Sequence, residues 1–220
     1  MLSLDSRLKA AADLCRSGVV VADVGTDHAQ LACYLAMNGA ASVIASDVRE
    51  GPLDAARRTV SETGVKNVSV VLSDGLDRID YADDVVICGM GGVLIADIIA
   101  GCRFLSENTR FILQPMTRPD ALRRRLYSAG FDIDAERTAY DGKRAYVILR
   151  AKYTGVRREI DDITALVGSV TDEKYLRLTA RKLLKNAEGM ERSEGCAAQA
   201  EKLRGTAREI LSRAGSGDHE

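Results

Sequence analysis

Short apolar runs recur along the first two thirds of the chain, and an amphipathic stretch follows almost every one. The runs are rich in Val, Ile and Ala, and they predict five strands, at 19–24, 42–46, 67–72, 85–88 and 110–113. Apolar residues at helical spacing predict helices at about 29–38, 52–63, 92–100 and 118–129, and another over 3–16. Nearly all-apolar strands that alternate with helices are typical of a parallel sheet buried on both faces.

Two later regions depart from this alternation. The segment 131–153 reads as two strands around Asp141-Gly142, which predicts a hairpin at one edge of the sheet. Residues 157–213 contain no proline and are rich in Leu, Ala, Lys, Arg and Glu, which predicts two long helices packed as an antiparallel hairpin. We therefore expect an α/β domain over 1–153 and a helical domain over 154–220. The order of elements resembles the Rossmann-like sheet of class I methyltransferases.

Composition narrows the classes of protein further. No apolar run reaches the roughly 18 residues that a membrane span needs, and the charged N-terminus lacks the apolar core of a signal peptide. The five cysteines are odd in number and never spaced as C-x-x-C, which favours reduced thiols and a cytoplasmic location. The two histidines, His28 and His219, leave no set of ligands for a structural zinc ion, and a catalytic triad could use only His28. We expect no metal and no membrane partner.

The turn after the first strand is acidic where a dinucleotide site is rich in glycine. It reads Asp23-x-Gly25-x-Asp27, so that Asp27 stands at the middle glycine position of a G-x-G-x-x-G motif. A carboxylate there would repel a pyrophosphate, whereas it suits S-adenosylmethionine (SAM), which carries a sulfonium and an ammonium group. The alternative is that Asp27 only caps the following helix.

Three further motifs follow the next strands. Asp47 ends the second strand, 22 residues after Gly25, where an acidic residue binds ribose hydroxyls in this fold. Asp74-Gly75 follows the third strand, as an adenine-binding loop or as an ordinary Asp-Gly turn. Gly89-Met90-Gly91-Gly92 ends the fourth strand, and three glycines in four residues predict close approach of the backbone to a ligand.

These motifs identify a specific family. The segments "ADVGTDHAQL", "ASDVREGPLDAARR", "SDGL", "CGMGGVLIADI", "ILQPM" and "YDGKRAYVIL" closely resemble the bacterial tRNA (adenine(22)-N1)-methyltransferases, the TrmK family. Asp47 stands where relatives often have Glu, and Met116 replaces a frequent Asn. The resemblance runs from about Leu2 to Tyr153 and more loosely through the C-terminal helices.

The resemblance implies a cofactor, a partner and a set of site residues. The cofactor is SAM and the partner is tRNA, with the oligomeric state open and a monomer favoured. The implied cofactor-binding residues are Asp23, Gly25, Asp27, His28, Asp47, Asp74, Gly75, Gly89, Met90 and Gly91. The implied catalytic residues are Asp27 and Asp23, and Gly92 and Gln114 are expected to contact the substrate.

A basic stripe in the C-terminal region is a candidate tRNA contact. Lys174, Arg177, Arg181 and Lys185 are spaced by three and four residues, so that they share one helical face. The region from Thr154 onward holds 12 basic and 12 acidic residues, which makes the stripe a local feature of a neutral segment. A solvated helix face is the alternative to a phosphate-binding surface. Arg118 and Arg123–Arg125 are expected to extend it.

The implied reaction is methyl transfer to N1 of adenine. Neutral adenine N1 presents a lone pair and no proton, so that no strong general base is required, and a carboxylate can stabilise the cationic product. N1 lies on the Watson–Crick edge, so the base has to be unpaired or flipped out. Two alternatives stay open: a catalytically silent SAM- or RNA-binding module of the same fold, and a nucleotide-dependent oxidoreductase, against which the acidic turn argues.

Overall fold

The computed structural model describes residues 2–190 and 195–215. His219 therefore lies outside the described residues. The chain divides into two compact units, which run to Glu159 and from Ile160. None of the described helices is both long enough and apolar enough to cross a membrane.

The first unit is built on a seven-stranded sheet. The strands are β1 (Val20–Val24), β2 (Ser42–Asp47), β3 (Val68–Leu72), β4 (Asp84–Gly91), β5 (Arg110–Thr117), β6 (Phe131–Asp141) and β7 (Arg144–Tyr153). Their order in the sheet is β3-β2-β1-β4-β5-β7-β6, with the first five strands parallel and β7 antiparallel to both β5 and β6. The predicted class I methyltransferase fold is confirmed, and so is the hairpin, which turns at Gly142 with a φ of +55°.

Five helices belong to this unit, and they connect or precede the strands. They are α1 (Ser6–Ala12), α2 (Gln30–Met37), α3 (Glu50–Thr63), α4 (Gly92–Ala100) and α5 (Pro119–Ala129). Helix α1 is shorter than the predicted 3–16, and it is capped by Asp5, whose carboxylate accepts a bond from the Leu8 N–H at 2.8 Å. Gly64 directly follows α3 and Gly130 directly follows α5, both with a left-handed φ that glycine adopts without strain.

Apolar side chains pack on both faces of the sheet, as the nearly all-apolar strands predict. Along β4, Val86 points into one cluster, whereas Val85 and Ile87 point into the other, because successive side chains of a strand alternate between faces. The clusters bury most of the central strands, which leaves the carboxyl ends of the strands as the place for polar chemistry.

The second unit consists of helices. They are α6 (Asp162–Val167), α7 (Glu173–Met190) and α8 (Ala197–Ala214). Helices α7 and α8 pack together as the predicted hairpin, along buried residues that include Leu183 and Ile210. The short α6 was not predicted. Asp161 caps it by accepting a bond from the Thr164 N–H at 2.6 Å.

Candidate active site

The candidate residues of the first unit gather at one edge of the sheet. Strands β3, β2, β1 and β4 are parallel neighbours, so that their carboxyl ends lie side by side. The chain leaves β1 at Gly25, β2 at Asp47, β3 at Ser73 and β4 at Gly91. Ligands of open parallel sheets bind at this edge, next to the point where the strand order reverses. Here that point lies between β1 and β4.

The turn after β1 is held tightly against β2. The N–H groups of Gly25 and Thr26 both donate to the Ser46 carbonyl, at 2.8 Å each. The Thr26 hydroxyl donates to Asp23 Oδ2 at 2.6 Å, and Asp23 is only 3% exposed. Asp23 therefore lies beneath the turn and orients it. This buried position is poorly suited to direct contact with a substrate, which the predicted catalytic role would need.

Burial changes the acidity of Asp23. Removal from water disfavours its charged form and raises its pKa to about 6, against the opposing effects of the hydrogen bond from Thr26 and of the Ala32 backbone. The pKa of this carboxyl group therefore lies close to neutral pH, so that a nearby cation changes the fraction of it that is ionised. A positively charged ligand would favour the carboxylate form.

Asp27 and His28 point out of the turn. Their side chains are 68% and 60% exposed, and His28 Nε2 lies 3.7 Å from Asp27 Oδ2. Asp27 has a left-handed φ of 52°. The interpretation of Asp27 as a helix cap is wrong, because the N-cap residue of α2 is Ala29 and the helix has no side-chain cap. Its exposed carboxylate is thus available to a ligand.

Met90 covers the glycine of the turn. Gly25 has a φ of +75°, and a Cβ built on it would overlap the methyl group of Met90. The end of β4 thereby closes over the end of β1. The sequence predicted both residues as cofactor contacts, and the structure brings them together.

Asp47 and the loop after β3 form the adjoining part of the edge. Asp47 is 7% exposed; its Oδ1 accepts a bond from the Arg49 N–H at 3.0 Å, and within the described residues its Oδ2 has no hydrogen-bond partner. The Ser73 N–H donates to the Asp47 carbonyl, also at 3.0 Å. Asp74 is exposed and Gly75 has a φ of +53°. One carboxylate oxygen on β2 and a second acidic side chain beyond β3 are therefore available to a polar ligand.

Two apolar side chains flank this part of the edge, and the sequence analysis missed both. Val48, directly after β2, and Leu72, at the end of β3, are 57% and 36% exposed although they are aliphatic. Exposed aliphatic groups beside a carboxylate suit the faces of a flat ring that also carries hydroxyl groups. Their only sequence signal was their position directly after or at the end of a strand.

The glycines at the end of β4 and the start of α4 also have contacts within the first unit. Gly89 has a φ of +82°, a Cβ on Gly91 would lie 3.3 Å from Thr117 Oγ1, and a Cβ on Gly92 would overlap the Arg118 carbonyl. The pairing of β4 with β5 is irregular here. These contacts give Gly91 and Gly92 a structural reason of their own, and the approach of a ligand to this backbone stays a prediction. Gly92 is buried against Arg118, which disfavours its expected contact with the substrate.

Gln114 is also buried, contrary to its expected contact with the substrate. It is 0% exposed, and its Oε1 accepts bonds from Arg7 Nη1 at 2.9 Å and from the Gly89 N–H at 3.1 Å. Its Nε2 donates to the Pro115 carbonyl at 3.0 Å. Gln114 thus holds other groups in place. Its bond with Arg7 holds that arginine at the edge of the sheet. The sequence analysis did not identify Arg7, because a single arginine on an amphipathic helix forms no recognisable motif.

The basic stripe lies on α7 in the second unit, and its members differ. Arg177 is paired with Glu173 at 2.6 Å, one turn earlier on the helix. Arg181 and Lys185 are exposed and have no ion-pair partner within residues 2–190 and 195–215. The latter two therefore carry the charge that is available to a phosphate.

The expected extension of the stripe after β5 is wrong for Arg123. This side chain is fully buried and forms an ion pair with Glu136 at 2.7 Å. Arg118 is paired with Asp120 and Arg125 with Asp97. Their charges are largely satisfied within the first unit.

The carboxylates at this edge suit a cationic organic ligand better than a metal ion or a pyrophosphate. Asp23 and Asp27 lie at the end of β1 and in the turn that follows it, and Asp47 ends the neighbouring strand β2. No group of three or more metal-ligating side chains occurs in the part of the chain that the structure describes. Ammonium, sulfonium and ribose hydroxyl groups are the chemistry that such carboxylates can receive.

Comparison with known proteins gives a consistent result. Residues 4–149 match the family model described as a methyltransferase domain. The tRNA (adenine(22)-N(1))-methyltransferase of Bacillus subtilis (strain 168) is 38% identical over 156 residues, which make up 69% of this chain and 66% of that protein. That alignment spans slightly less than two thirds of the relative.

Solved structures resemble the chain over nearly its whole length. A Streptococcus pneumoniae protein assigned as a tRNA (m1A22) methyltransferase has a TM-score of 0.81 and 31% identity, over 95% of this chain and 100% of that one. Its complex with SAM has a TM-score of 0.80 and 29% identity, over 96% of this chain and 100% of that one. The B. subtilis m1A22 tRNA methyltransferase TrmK has a TM-score of 0.76 and 27% identity, over 98% and 99%.

Proposed function

This chain belongs to the tRNA (adenine(22)-N1)-methyltransferase family, and on that premise we propose that it transfers a methyl group from SAM to N1 of adenine 22 in tRNA. The observation that carries the proposal is the acidic turn after β1, closed by Met90, at the strand edge where ligands of this fold bind. A cationic cofactor accounts for that turn better than a phosphate-bearing one.

The proposed cofactor site divides along the strand ends. Asp47 accepts the ribose hydroxyls through its Oδ2, and Asp74 and Gly75 contact the adenine edge, with Val48 and Leu72 against the ring. The methionine part lies over the β1–α2 turn and the end of β4. The residues proposed to surround it are Asp23, Gly25, Asp27, His28, Gly89, Met90 and Gly91.

Bound SAM supplies a methyl group on a positively charged sulfur. The task of the chain is to hold the target base close to that methyl group and in line with it, at about 3–3.5 Å. Adenine N1 becomes positively charged as it is methylated, and the exposed Asp27 carboxylate is the group proposed to stabilise that charge. Asp23 is proposed to act from beneath the turn through its charge, because it is buried.

tRNA is the proposed partner. The exposed cations Arg181 and Lys185, with Arg177 beside them, are proposed to contact its phosphates. With tRNA as the substrate, a cytoplasmic location is proposed. The Watson–Crick edge of adenine 22 has to be accessible before N1 can react.

The direct experiment is nucleoside mass spectrometry of tRNA incubated with the protein and SAM carrying an isotopically labelled methyl group. We expect labelled 1-methyladenosine and no other labelled nucleoside. A protein that binds SAM and tRNA but leaves the tRNA unlabelled would be a silent binding module. Label on another nucleoside would show that the protein is a methyltransferase but would refute adenine N1 as the acceptor atom.

A further inference from the structure

Arg7 is a cation placed at the acidic edge of the sheet. Its Nη1 donates to Gln114 Oε1 at 2.9 Å and its Nη2 donates to Asp5 Oδ2 at 3.0 Å. Its side chain is only 20% exposed. A guanidinium carries five N–H groups, and within the described residues two of those of Arg7 are engaged. Arg7 is thus fixed in position and retains donors for another acceptor.

The guanidinium lies against the backbone at the end of β4. A Cβ on Gly89 would lie 3.6 Å from Arg7 Nη1, and the Gly89 N–H shares the Gln114 Oε1 acceptor with Arg7. Strand β4 pairs directly with β1, which ends in the acidic turn. One buried amide side chain therefore couples the position of Arg7 to the strand end that borders the proposed methionine site.

Opposite charges act on the same point between the two strands. Burial is the largest cause that raises the pKa of the Cys88 thiol; the Asp23 carboxylate raises it further, whereas the Arg7 guanidinium lowers it. Cys88 directly precedes Gly89. A negative and a positive side chain are therefore both within electrostatic reach of the end of β4, one from β1 and one from α1.

We infer that Arg7 binds the α-carboxylate of the methionine part of the cofactor, while the acidic turn receives its ammonium group. This inference rests on the proposed function. An amino acid is a zwitterion, so a site that holds it needs a cation as well as an anion, and arginine can donate two parallel bonds to a carboxylate. Gln114 is a positioning residue in this arrangement, because it fixes the guanidinium and does not itself reach the ligand.

A purely structural role for Arg7 predicts a different effect of its loss on ligand binding. The bonds to Gln114 and Asp5 also attach α1 to the sheet, so that loss of Arg7 could disturb the whole edge. Such a disturbance would weaken every ligand of the site. Loss of a carboxylate contact would weaken only ligands that carry a carboxylate.

The test compares two probes in isothermal titration calorimetry. S-adenosylhomocysteine contains the amino acid group, and 5′-methylthioadenosine lacks it. We expect Arg7→Gln to weaken S-adenosylhomocysteine binding about 10–100-fold, the range for losing a charged hydrogen bond, and to leave methylthioadenosine binding within about twofold. Arg7→Lys keeps the charge without the planar fork and should fall between. Lys9→Gln, which removes an exposed, ion-paired cation from the same helix, should change neither affinity.

The outcomes separate the inference from the proposed function. Equal weakening of both probes by Arg7→Gln, or no weakening of either, would overturn the inference while the cofactor assignment stands. A wild-type protein that binds neither probe would overturn the proposed function and the inference with it. Thermal denaturation without ligand shows whether the variants are folded before the affinities are compared.

Discussion

The methyl group of Met90 occupies the space that a side chain on Gly25 would need. Met90 lies near the end of β4 and Gly25 directly follows the neighbouring strand β1, so that this contact closes the edge of the sheet at the point where the strand order reverses. A glycine is required at this position for two reasons: its φ of +75° and the proximity of Met90.

Gly25→Ala tests both reasons against a matched glycine. Gly18 has a φ of +74° and no atom within 4 Å of a Cβ built on it. We expect Gly18→Ala to cost about 1 kcal/mol of stability through backbone strain alone. Gly25→Ala should cost about 1–3 kcal/mol more, because Met90 must move, and Met90→Ala in the same chain should recover most of that difference. Urea denaturation measures all three, and equal costs at Gly18 and Gly25 would show that Met90 moves freely.

The pKa of Asp23 predicts a pH dependence of cofactor binding. The pKa of the free protein is raised to about 6, so that the carboxyl group binds a proton as the pH falls through that value. The ammonium group of the ligand favours the carboxylate, and we therefore expect S-adenosylhomocysteine affinity to decline below about pH 6, by up to about tenfold per pH unit. Calorimetry between about pH 5 and pH 8 measures it.

Two variants and the stability of the free protein check this assignment. Asp23→Asn should flatten the profile, whereas His28→Asn should keep it; the opposite result would assign the titration to His28. Because burial raises the folded-state pKa above the ordinary 3.8, the folded chain holds the proton more tightly than the unfolded chain. The contribution of Asp23 to stability should therefore increase as the pH falls from about 6 to about 4, and be lost as the pH rises through about 6.

Asp27→Asn isolates the charge of the exposed carboxylate. Asn tolerates the left-handed φ of 52°, and Asp27 does not cap α2, so that the melting temperature should change little. If Asp27 stabilises the forming cation, single-turnover methyl transfer at saturating SAM should slow by roughly 10²–10³. A rate restored by high SAM would instead show that Asp27 only holds the ammonium group, and an unchanged rate at all concentrations would remove it from the site.

The stripe on α7 predicts a salt-dependent contact with tRNA. Arg181→Gln with Lys185→Gln should weaken tRNA binding and reduce the slope of log affinity against log salt by about 1 per residue, because fewer counterions are released. S-adenosylhomocysteine affinity should not change. Arg208→Gln on α8 is the control, since that arginine is already paired with Glu201 at 2.6 Å. Equal losses in the control and the double variant would indicate a solvated face.

The sequence predicted the sheet well because burial on both faces leaves a simple signal. All seven strands, the hairpin and the family are confirmed. Strands β4 and β5 extend further than predicted, since glycines and proline that usually end strands are accommodated there by an irregular pairing. Helix α6 was missed because its six residues give too short a periodicity.

The site was harder to predict because its supporting contacts are distant in the chain. Arg7 donates a hydrogen bond to Gln114, which lies 107 residues further along the chain, and no sequence motif links the two residues. Arg123 was assigned to the surface because arginines usually lie there, yet Glu136 compensates its burial. Local spacing identified the acidic turn, whereas partners across the sheet decide which polar groups are available to a ligand.

Methylation of one atom at one position is the central claim, and two tRNA substrates that differ only in that atom test it most directly. One carries adenosine at position 22 and the other carries 1-deazaadenosine, which replaces N1 with a C–H group. Transfer of a labelled methyl group from SAM should be complete on the first in a single turnover and absent on the second, with similar binding of both. Equal labelling of the two substrates, or no labelling of the first despite binding, would contradict the account.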